Sequence, residues 1–384
     1  MTEAPSAPGL HPGDRVTLRV DDLAFGGEGV GRVEGFVIFV PFTIPGERVE
    51  AELTEVGRKH GRGRLLQVIE AGPERVTPRC PYFGNCGGCQ YQHLDYMAQV
   101  RWKRRQVANL MERLGGLPPE VVGEVVPCPA PYGYRNRIMV RSQHHRREGR
   151  TVVGFLRPAS REVLDITACA IAEPDLNGQL AVWRAEPPAH GGLKRVLRVP
   201  PPGWDVPGDS FFQNNFHLLP RLVETVRGRL RDAGVRHLVD AYCGVGFFSL
   251  ELADVVESFA GVEIDGHAIA AARRNAARRG VTNGEFVAGP AETWLPPLLA
   301  KFPAGRTAVL VDPPRTGCAP SLVHTLRVTR PAQVLYVSCH PATLARDLRL
   351  LTEGGPARVD TVTPLDMFPQ TQHVECVADV RFLR

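Results

Sequence analysis

The sequence is poor in lysine and has no long apolar run. Only four of its 46 basic residues are lysines, and no stretch of 18 apolar residues occurs, so no membrane-spanning helix is predicted. The first residues, MTEAPSAPGLHPGD, have neither the basic start nor the apolar core of a secretory signal peptide. We therefore expect a cytoplasmic protein with no membrane partner.

Arginine supplies almost all of the positive charge. The 384 residues have a net charge of +5, and 43% hydrophobic with 23% charged residues is typical of soluble globular proteins. This length predicts two or three domains. Arginine suits planar contacts with phosphates and bases, but a GC-rich genome enriches it as well. Nucleic-acid binding therefore needs support from local features of the sequence.

Three of the nine cysteines, Cys80, Cys86 and Cys89, lie within ten residues of one another. Stable disulfides are rare in the cytoplasm, so clustered thiols indicate a metal site or catalysis. The spacing C-x5-C-x2-C provides three thiolates, and a closed site needs a fourth, for which Cys128 and Cys169 are the candidates in the same region. Four thiolates bind either zinc or an iron–sulfur cluster, and zinc sites usually pair two C-x2-C knuckles, of which this segment has one.

Residues 12–70 have the pattern of a small β-barrel. Short alternating runs, VTLRV, FVIFVPF, RVEAEL and GRGRLLQVI, are separated by the turn signals FGGEGVGRVEG and Pro45-Gly46. About five strands in this length predict a barrel of the oligonucleotide-binding kind. The basic, glycine-rich loop at 58–64 favours contact with an RNA backbone, although a solvated hairpin would look similar.

The rest of the chain divides at a proline-rich linker. Residues 75–205 begin with the cysteines, continue with a predicted helix at 94–114 and β runs rich in arginine, and end in VPPPGWDVPG. Residues 209–384 alternate helices and strands, which predicts a doubly wound α/β sheet.

The segment DAYCGVGFFSLEL, residues 240–252, predicts a nucleotide-binding turn between a strand and a helix. Gly244 and Gly246 permit a tight turn and close approach of the backbone to a ligand. Glu263 ends the next strand, where a carboxylate accepts hydrogen bonds from ribose hydroxyls. Ser249 stands where the third glycine of a dinucleotide fingerprint would fall, so S-adenosylmethionine is favoured over a dinucleotide.

Three reactive side chains are predicted at the same sheet edge. Asp312 follows the strand AVLV, Cys339 follows QVLYVS, and Glu375 lies in a short strand near the C-terminal end. We expect the helix that begins at or just before Thr343 to promote the thiolate of Cys339. Carbon methylation of uracil needs a thiolate on C6 and a base for the C5 proton, whereas methylation of nitrogen needs no cysteine. A cysteine that merely packs in the core is the alternative.

With these motifs the chain resembles the RNA 5-methyluridine methyltransferases, in the branch with a TRAM barrel and an iron–sulfur cluster. Those relatives are mostly 23S rRNA uridine methyltransferases. The resemblance covers nearly the whole chain and rests on seven motifs: C-x5-C-G-G-C-x-x-Q-H at 80–93, Y-R-N-R at 134–137, F-F-Q-N-N at 211–215, D-x-Y-C-G-x-G at 240–246, D-P-P-R at 312–315, S-C-x-P at 338–341 and H-V-E at 373–375.

The resemblance implies a multidomain α/β architecture and a role for each site residue. The architecture is an N-terminal OB-like TRAM barrel, a small β-rich iron–sulfur domain and a C-terminal Rossmann-like class I methyltransferase domain. It makes Cys339 the nucleophile and Glu375 the base. The residues that it places against S-adenosyl-L-methionine or the uracil are Gln213, Tyr242, Glu263 and Asp312.

The resemblance also makes Cys169 the fourth ligand and favours a 4Fe–4S cluster over zinc. Two positions depart from the family pattern: Phe247 replaces an asparagine, and Pro290-Ala291 replaces an asparagine or aspartate. Both positions touch the cofactor in relatives, so contacts with its amino-acid end and its adenine are expected to differ.

We expect an RNA substrate, with 23S rRNA favoured over tRNA, and a monomer. Two alternatives stay open at this stage. One is an RNA amino-group methyltransferase that uses Asp312-Pro313-Pro314, and the other is an RNA-binding protein without catalysis.

Overall fold

The computed structural model describes residues 9–145 and 149–383, which form two compact units. The first unit consists of the described residues up to 106, those in 131–198, and residues 368–372. The second consists of residues 107–130, 199–367 and the described residues from 373 onwards. The three predicted domains, 12–70, 75–205 and 209–384, stay a prediction.

The N-terminal barrel of the first unit is closed and has five strands in the order β1-β2-β3-β5-β4. Alternate side chains of β1, among them Val16, Leu18 and Val20, enter a core of branched aliphatic residues. The predicted barrel is therefore confirmed. Its strands are β1 (Arg15–Leu23), β2 (Glu28–Val33), β3 (Phe36–Pro41), β4 (Arg48–Val56) and β5 (His60–Glu70).

Strand β2 lies where the sequence indicated only a turn. Its glycines allow close packing, since a Cβ on Gly29 would lie 2.0 Å from Oγ1 of Thr43 and one on Gly31 would lie 2.3 Å from the carbonyl oxygen of Arg19. The glycine-rich stretch is therefore a strand with tightly packed neighbours, and the prediction of a turn across all of it was wrong.

The remainder of the first unit contains a four-stranded antiparallel sheet in the order β8-β7-β6-β9. Helix α2, which the sequence reading missed, buries Leu176, Leu180 and Trp183. The elements are α1 (Tyr96–Leu110), of which residues 107–110 belong to the second unit, β6 (Arg137–His145), β7 (Arg150–Leu156), β8 (Val163–Asp165), α2 (Pro174–Ala185) and β9 (Lys194–Arg198). Helix α1 is shorter than predicted because the chain continues as a π-turn over Met111–Gly115.

The second unit is built on a seven-stranded sheet in the order β12-β11-β10-β13-β14-β16-β15. Strands β10 to β14 pair in parallel, and β16 runs antiparallel to both of its neighbours. Its elements are α3 (Leu219–Ala233), β10 (His237–Ala241), α4 (Phe247–Glu251), β11 (Ser258–Glu263), α5 (Gly266–Arg279), β12 (Gly284–Ala288), α6 (Ala291–Ala300), β13 (Thr307–Val311), α7 (Pro320–Thr329), β14 (Gln333–Ser338), α8 (Pro341–Thr352), β15 (Ala357–Leu365) and β16 (Glu375–Phe382).

This topology gathers the predicted site residues at one edge of the sheet. Parallel strands end at a common edge, and an antiparallel strand begins there, so the segments after β10, β11, β13 and β14 meet the start of β16. The doubly wound sheet was predicted, but α6 and α7 were not. Among the described residues, none of the helices combines the length and the apolarity that crossing a membrane demands.

Candidate active site

The loop after β10 has three residues with a left-handed backbone. Tyr242 has φ of 70°, Gly244 of 54° and Gly246 of 83°. A Cβ on Gly246 would lie 2.9 Å from Cζ of Phe286, so this position needs glycine for space as well as for conformation. A Cβ on Gly244 would meet no described atom within 4 Å, which leaves that backbone open to a ligand.

Glu263 is fixed by backbone donors. Its Oε2 accepts from the amide of Gly244 at 3.2 Å, and its Oε1 accepts from the amide of Asp265 at 2.9 Å. Each carboxylate oxygen can accept a second hydrogen bond. The carboxylate is therefore oriented beside the glycine loop and still has acceptor sites for ribose hydroxyls.

The departure at Phe247 is accommodated by an aromatic cluster. The ring of Phe247 lies 5.4 Å from that of Trp204 and 5.4 Å from that of Phe212. The guanidinium of Arg279 covers the Trp204 ring at 3.9 Å. Phe247 therefore packs against aromatic rings, where an asparagine would make hydrogen bonds with its side-chain amide.

The second departure, at Pro290-Ala291, is followed by Glu292 and Trp294, which the sequence analysis did not single out. The hydroxyl of Tyr242 donates to Oε1 of Glu292 at 3.0 Å. The indole of Trp294 lies against Gly289, where a Cβ would be 2.4 Å from Nε1. An acidic residue in the first turn of α6 was the available signal, but it could be recognised only once that helix was known.

Asp312 lies beside Gln213, which donates from Nε2 to Oδ2 at 3.2 Å. The pKa of Asp312 is raised to about 7. Burial is the main cause and the nearby charge of Asp240 the second, while the hydrogen bond from Gln213 opposes the shift. Near neutral pH both the protonated and the ionised form of this carboxyl group are populated. It is therefore able to accept or donate a hydrogen bond towards a bound base.

The register between β14 and β16 brings Cys339 and Glu375 together. Ser338 pairs with Cys376 in this antiparallel ladder, so Cys339 and Glu375 are the next residues along it. The pKa of Cys339 is raised to about 11. Burial is the main cause, and the charges of Glu375 and Asp312 contribute to the same rise. That the helix beginning at or just before Thr343 favours the thiolate stays a prediction, and burial and the two carboxylates act in the opposite direction.

Glu375 is buried as well, and the charges of Asp312 and Arg315 act on it. Burial raises its pKa well above the usual range, and the charge of Asp312 adds to this, whereas the guanidinium of Arg315 lowers it. Arg315 also donates towards Cys339 and lowers the pKa of that thiol. A nucleophile, two carboxyl groups and one cation thus lie together, the set that proton-coupled addition and elimination need.

The four predicted cluster ligands lie in the first unit. Cys86 and Cys89 have pKa values raised to about 11 and about 12, chiefly by burial, and the charges of Cys169 and Cys80 add to both. These mutual effects require the four thiols to be near neighbours. A Cβ on Gly88 would lie 3.5 Å from Sγ of Cys86, so the glycine keeps this side of the thiol open.

Hydrogen bonds join the two segments that carry these cysteines. The hydroxyls of Tyr82 and Thr167 are 2.8 Å apart, and the amide of Thr167 donates to Tyr82 at 3.1 Å. The amide of Cys80 donates to Oε1 of Gln92 at 3.0 Å. The side chain of Asn177 holds the backbone of Cys169 with two hydrogen bonds. Its Oδ1 accepts from the amide of Cys169, and its Nδ2 donates to the carbonyl oxygen of the same residue.

Cys128, the other candidate for the fourth ligand, belongs to the second unit. Its Sγ lies 3.2 Å from the carbonyl oxygen of Ala130 and accepts from Nδ2 of Asn215 at 3.3 Å. Within the part of the chain that the structure describes, no three histidine, cysteine, aspartate or glutamate side chains are arranged around a single metal-ion position.

The comparisons with known proteins agree with this geometry. Residues 204–380 match the tRNA (Uracil-5-)-methyltransferase family, and residues 10–66 match the TRAM domain. An uncharacterized RNA methyltransferase of Thermosynechococcus vestitus is 32% identical over 95% of this chain and 98% of its own length. The chain belongs to the RNA 5-methyluridine methyltransferase family. It is therefore an S-adenosylmethionine-dependent RNA methyltransferase, as predicted.

Two further comparisons cover almost the whole of this chain. An uncharacterized RNA methyltransferase of Gloeobacter violaceus is 33% identical over 98% of this chain and 99% of its own. The crystal structure of Pyrococcus abyssi tRNA (uracil-54, C5)-methyltransferase with S-adenosyl-L-homocysteine has a TM-score of 0.70. That structure is 24% identical and covers 95% of this chain and 100% of its own, which confirms the methyltransferase fold.

Proposed function

We propose that this enzyme methylates C5 of a uridine in RNA, with 23S rRNA as the substrate. The observation that carries the proposal is the position of Cys339 beside Glu375 and Asp312, at the sheet edge that also holds the glycine loop. Methylation of a nitrogen or oxygen needs neither a thiol nor a second base, whereas methylation of a pyrimidine carbon needs both.

The reaction begins when the Cys339 thiolate adds to C6 of uracil. The electrons of the C5–C6 double bond move onto C5 and O4, and C5 then attacks the methyl group of the cofactor, which leaves as S-adenosylhomocysteine. Glu375 takes the proton from C5, the double bond forms again, and the thiolate leaves C6. Asp312 would hold the uracil edge or the cofactor, since it follows β13 at the same sheet edge and lies beside Gln213.

The residues that would hold S-adenosyl-L-methionine lie around the loop after β10. Gly244 and Gly246 allow the backbone to approach the cofactor, and Glu263 would accept from its ribose hydroxyls. Tyr242 belongs to the same loop, and Gln213 lies beside Asp312. The cofactor supplies an activated methyl group, and the chain supplies orientation, the nucleophile and the base.

A transfer RNA is the second candidate substrate. It is favoured by the match to the tRNA (Uracil-5-)-methyltransferase family and by the likeness to a tRNA (uracil-54, C5)-methyltransferase. Ribosomal RNA is favoured by the TRAM barrel together with the cysteine motif. We also propose that the enzyme is a cytoplasmic monomer, which light scattering of the purified protein would test.

Release of tritium tests the reaction and the substrate together. The enzyme would be incubated with S-adenosylmethionine and with unmodified 23S rRNA or tRNA that carries tritium at uracil C5. We expect release that requires the cofactor, is faster with 23S rRNA, and is absent in Cys339→Ala. Methyl transfer without tritium release would instead identify an amino-group methyltransferase, and binding of RNA without transfer would identify a non-catalytic protein.

We further propose that Cys80, Cys86, Cys89 and Cys169 hold a 4Fe–4S cluster. Support comes from their mutual electrostatic effects, from the open side of Cys86 at Gly88, and from the hydrogen bonds between the segments. Methyl transfer moves no net electrons, so the role of the cluster would be to cross-link two segments that are far apart in sequence.

Iron and sulfide analysis of anaerobically purified protein tests this proposal. We expect four irons and four sulfides per chain, a broad absorbance band near 400 nm, and loss of both in Cys169→Ser. Cys128→Ser is the matched control and should retain them, because that thiol lies in the other unit. One zinc and no sulfide per chain would overturn the proposal in favour of a zinc site.

A further inference from the structure

The open face of the four-stranded sheet in the first unit combines apolar and cationic side chains. Met139 and Arg141 point to one side of β6, because alternate residues of a strand share a face. They pair across the ladder with Val196 and Lys194 of β9. Met139 is 48% exposed and Val196 is 40% exposed. Exposed apolar residues surrounded by cations mark a binding surface more often than a solvated one.

A cavity of about 910 Å³ adjoins this face. It is lined by residues of β6, the start of β8 and the segment 189–193, including Arg141, His144, Arg161 and His190. None of the described residues that line it is acidic. The charge of the cavity wall therefore has one sign, which suits an anionic ligand.

The wall formed by residues 189–193 is held firmly on β6. The amide of Gly192 donates to the carbonyl of Ser142 at 2.8 Å, and the amide of Leu193 donates to its hydroxyl at 3.1 Å. A Cβ on Gly191 would lie 2.5 Å from the amide nitrogen of His144, so only glycine permits this approach. The cavity is therefore a built feature of the fold.

A second hollow lies beside the cysteine segment and has two lining residues in common with the cavity. The second hollow has a volume of about 600 Å³ and shares Leu156 and Arg161 with the first. Its far wall contains Gly87 and Gly88, and the amide of Gly87 donates to the carbonyl of Leu156 at 3.1 Å. We call the cavity and this hollow together the sheet groove.

Three cations of the sheet groove and the adjoining face lack acidic partners among the described residues, whereas Arg157, which lines the second hollow, pairs with Glu162. Arg141, Arg161 and Lys194 make no ion pair with any residue in 9–145 or 149–383. By contrast, Arg150 and Arg184 both bind Asp165, in the same sheet. A cation without a carboxylate partner retains its full attraction for phosphate.

We propose that the sheet groove and the adjoining face of β6 and β9 bind a single-stranded segment of the RNA substrate. Arg141, Arg161 and Lys194 would contact phosphates, and Met139 and Val196 would pack against bases or riboses. Single strands bind to this combination of cationic track and apolar platform. The inference rests on the proposed function, because that function supplies RNA as the ligand.

The test measures binding of a single-stranded RNA oligonucleotide to the full-length enzyme, without cofactor, at several salt concentrations. The variant is Arg141→Gln/Arg161→Gln. The matched control is Arg231→Gln/Arg349→Gln, which removes the same charge from two exposed arginines of the second unit. Loss of two phosphate contacts should lower the salt slope by about 1.4 and weaken binding on the order of 25-fold in 0.1 M salt. The control should change affinity less than twofold.

Kinetics with methyl transfer as the readout distinguish the groove from the active site. The groove variant should raise KM for RNA and leave kcat unchanged at saturating RNA. A second variant, Met139→Glu, places a carboxylate on an exposed position of the face and should weaken RNA binding without affecting folding. Wild-type affinity and an unchanged salt slope in both variants would overturn the groove assignment, while tritium release by the same variants would leave the proposed reaction intact.

Discussion

Arg315 and His373 are joined by a hydrogen bond of 3.2 Å between Nη2 and Nε2. A guanidinium only donates, so Nε2 of His373 must accept, which fixes the neutral histidine as the tautomer with its proton on Nδ1. The bond orients the guanidinium in the region of Cys339 and Glu375, and Arg315 lowers the pKa of both. Arg315 is therefore the cation that makes deprotonation of this buried site less costly.

Replacement of Arg315 should shift the pH profile of the reaction. Both Cys339 and Glu375 must lose a proton before they can act, and both have raised pKa values, so kcat/KM should rise with pH. In Arg315→Gln the rise should move to higher pH by about one unit, with a loss of about tenfold at pH 8. Arg315→Lys should recover part of the shift. A loss of kcat/KM that is equal at every pH would show that Arg315 does not act through the pKa values of Cys339 and Glu375.

Glu375→Gln should separate methyl transfer from elimination. Without the base, the C5 proton stays in place, so Cys339 cannot leave C6 after the methyl group has been transferred. We expect an RNA–protein adduct that carries the labelled methyl group and survives denaturing electrophoresis, and a fall in kcat of at least about 100-fold. Cys339→Ala is the control and should form no adduct. Normal turnover by Glu375→Gln would assign the base to another residue.

Two glycine-to-alanine substitutions in the second unit should have opposite effects. Gly246 has a φ of 83° and no room for a Cβ beside Phe286, so Gly246→Ala should weaken binding of S-adenosylhomocysteine and lower the melting temperature. Gly228 lies inside helix α3 with nothing within 4 Å of a new Cβ. Gly228→Ala should stabilise the protein by about 0.5–1 kcal/mol and leave binding unchanged. Calorimetry of both variants checks the pair.

Asp240 should make stability depend on pH in an unusual direction. Burial raises its pKa to about 7, and its Oδ2 accepts from the amide and the hydroxyl of Ser249 at 3.0 and 2.6 Å. Between its ordinary pKa and pH 7 the folded state holds a proton that the unfolded state releases, so this group's contribution to stability falls as pH rises.

Asp240→Asn removes that dependence. The difference in melting temperature between the variant and the wild type should therefore move in favour of the variant from pH 5 to pH 8. Differential scanning at four pH values measures it, and the comparison cancels the contributions of all other groups. A difference that stays constant with pH would show that Asp240 is ionised throughout the range.

The strands of the barrel and the alternation of strands and helices in the second unit were predictable. The spacing of hydrophobic residues and the positions of turn residues indicate both directly in the sequence. Strand β2 was missed because its glycines look like turn residues, although they are there to let neighbouring strands approach. Helix α6 was missed because Pro296 and Pro297 lie inside it, and such residues normally end a helix. Those errors come from local signals that tertiary packing overrides.

The site was predictable as far as residue identity and less so in its electrostatics. Strand ends and motifs placed Cys339, Asp312 and Glu375 at one edge, and the register between β14 and β16 agrees. The acid–base behaviour was not predictable, because the pKa of Cys339 depends on burial and on carboxylates from other strands. The pair formed by Tyr242 and Glu292 likewise depends on a contact across 50 residues.

The position of β16 in the sheet constrains how the second unit can fold. Strand β15 has no partner in the sheet except β16, and β16 lies between it and β14. Until β16 is in place, β14 presents an unpaired edge to solvent and β15 has only its isolated bridges to Val122 and Val126, a state that invites association with other chains. The same strand begins with Glu375. Closure of the sheet and completion of the acid–base set are therefore a single event, and a molecule that has not finished folding lacks the base needed to release a captured uridine.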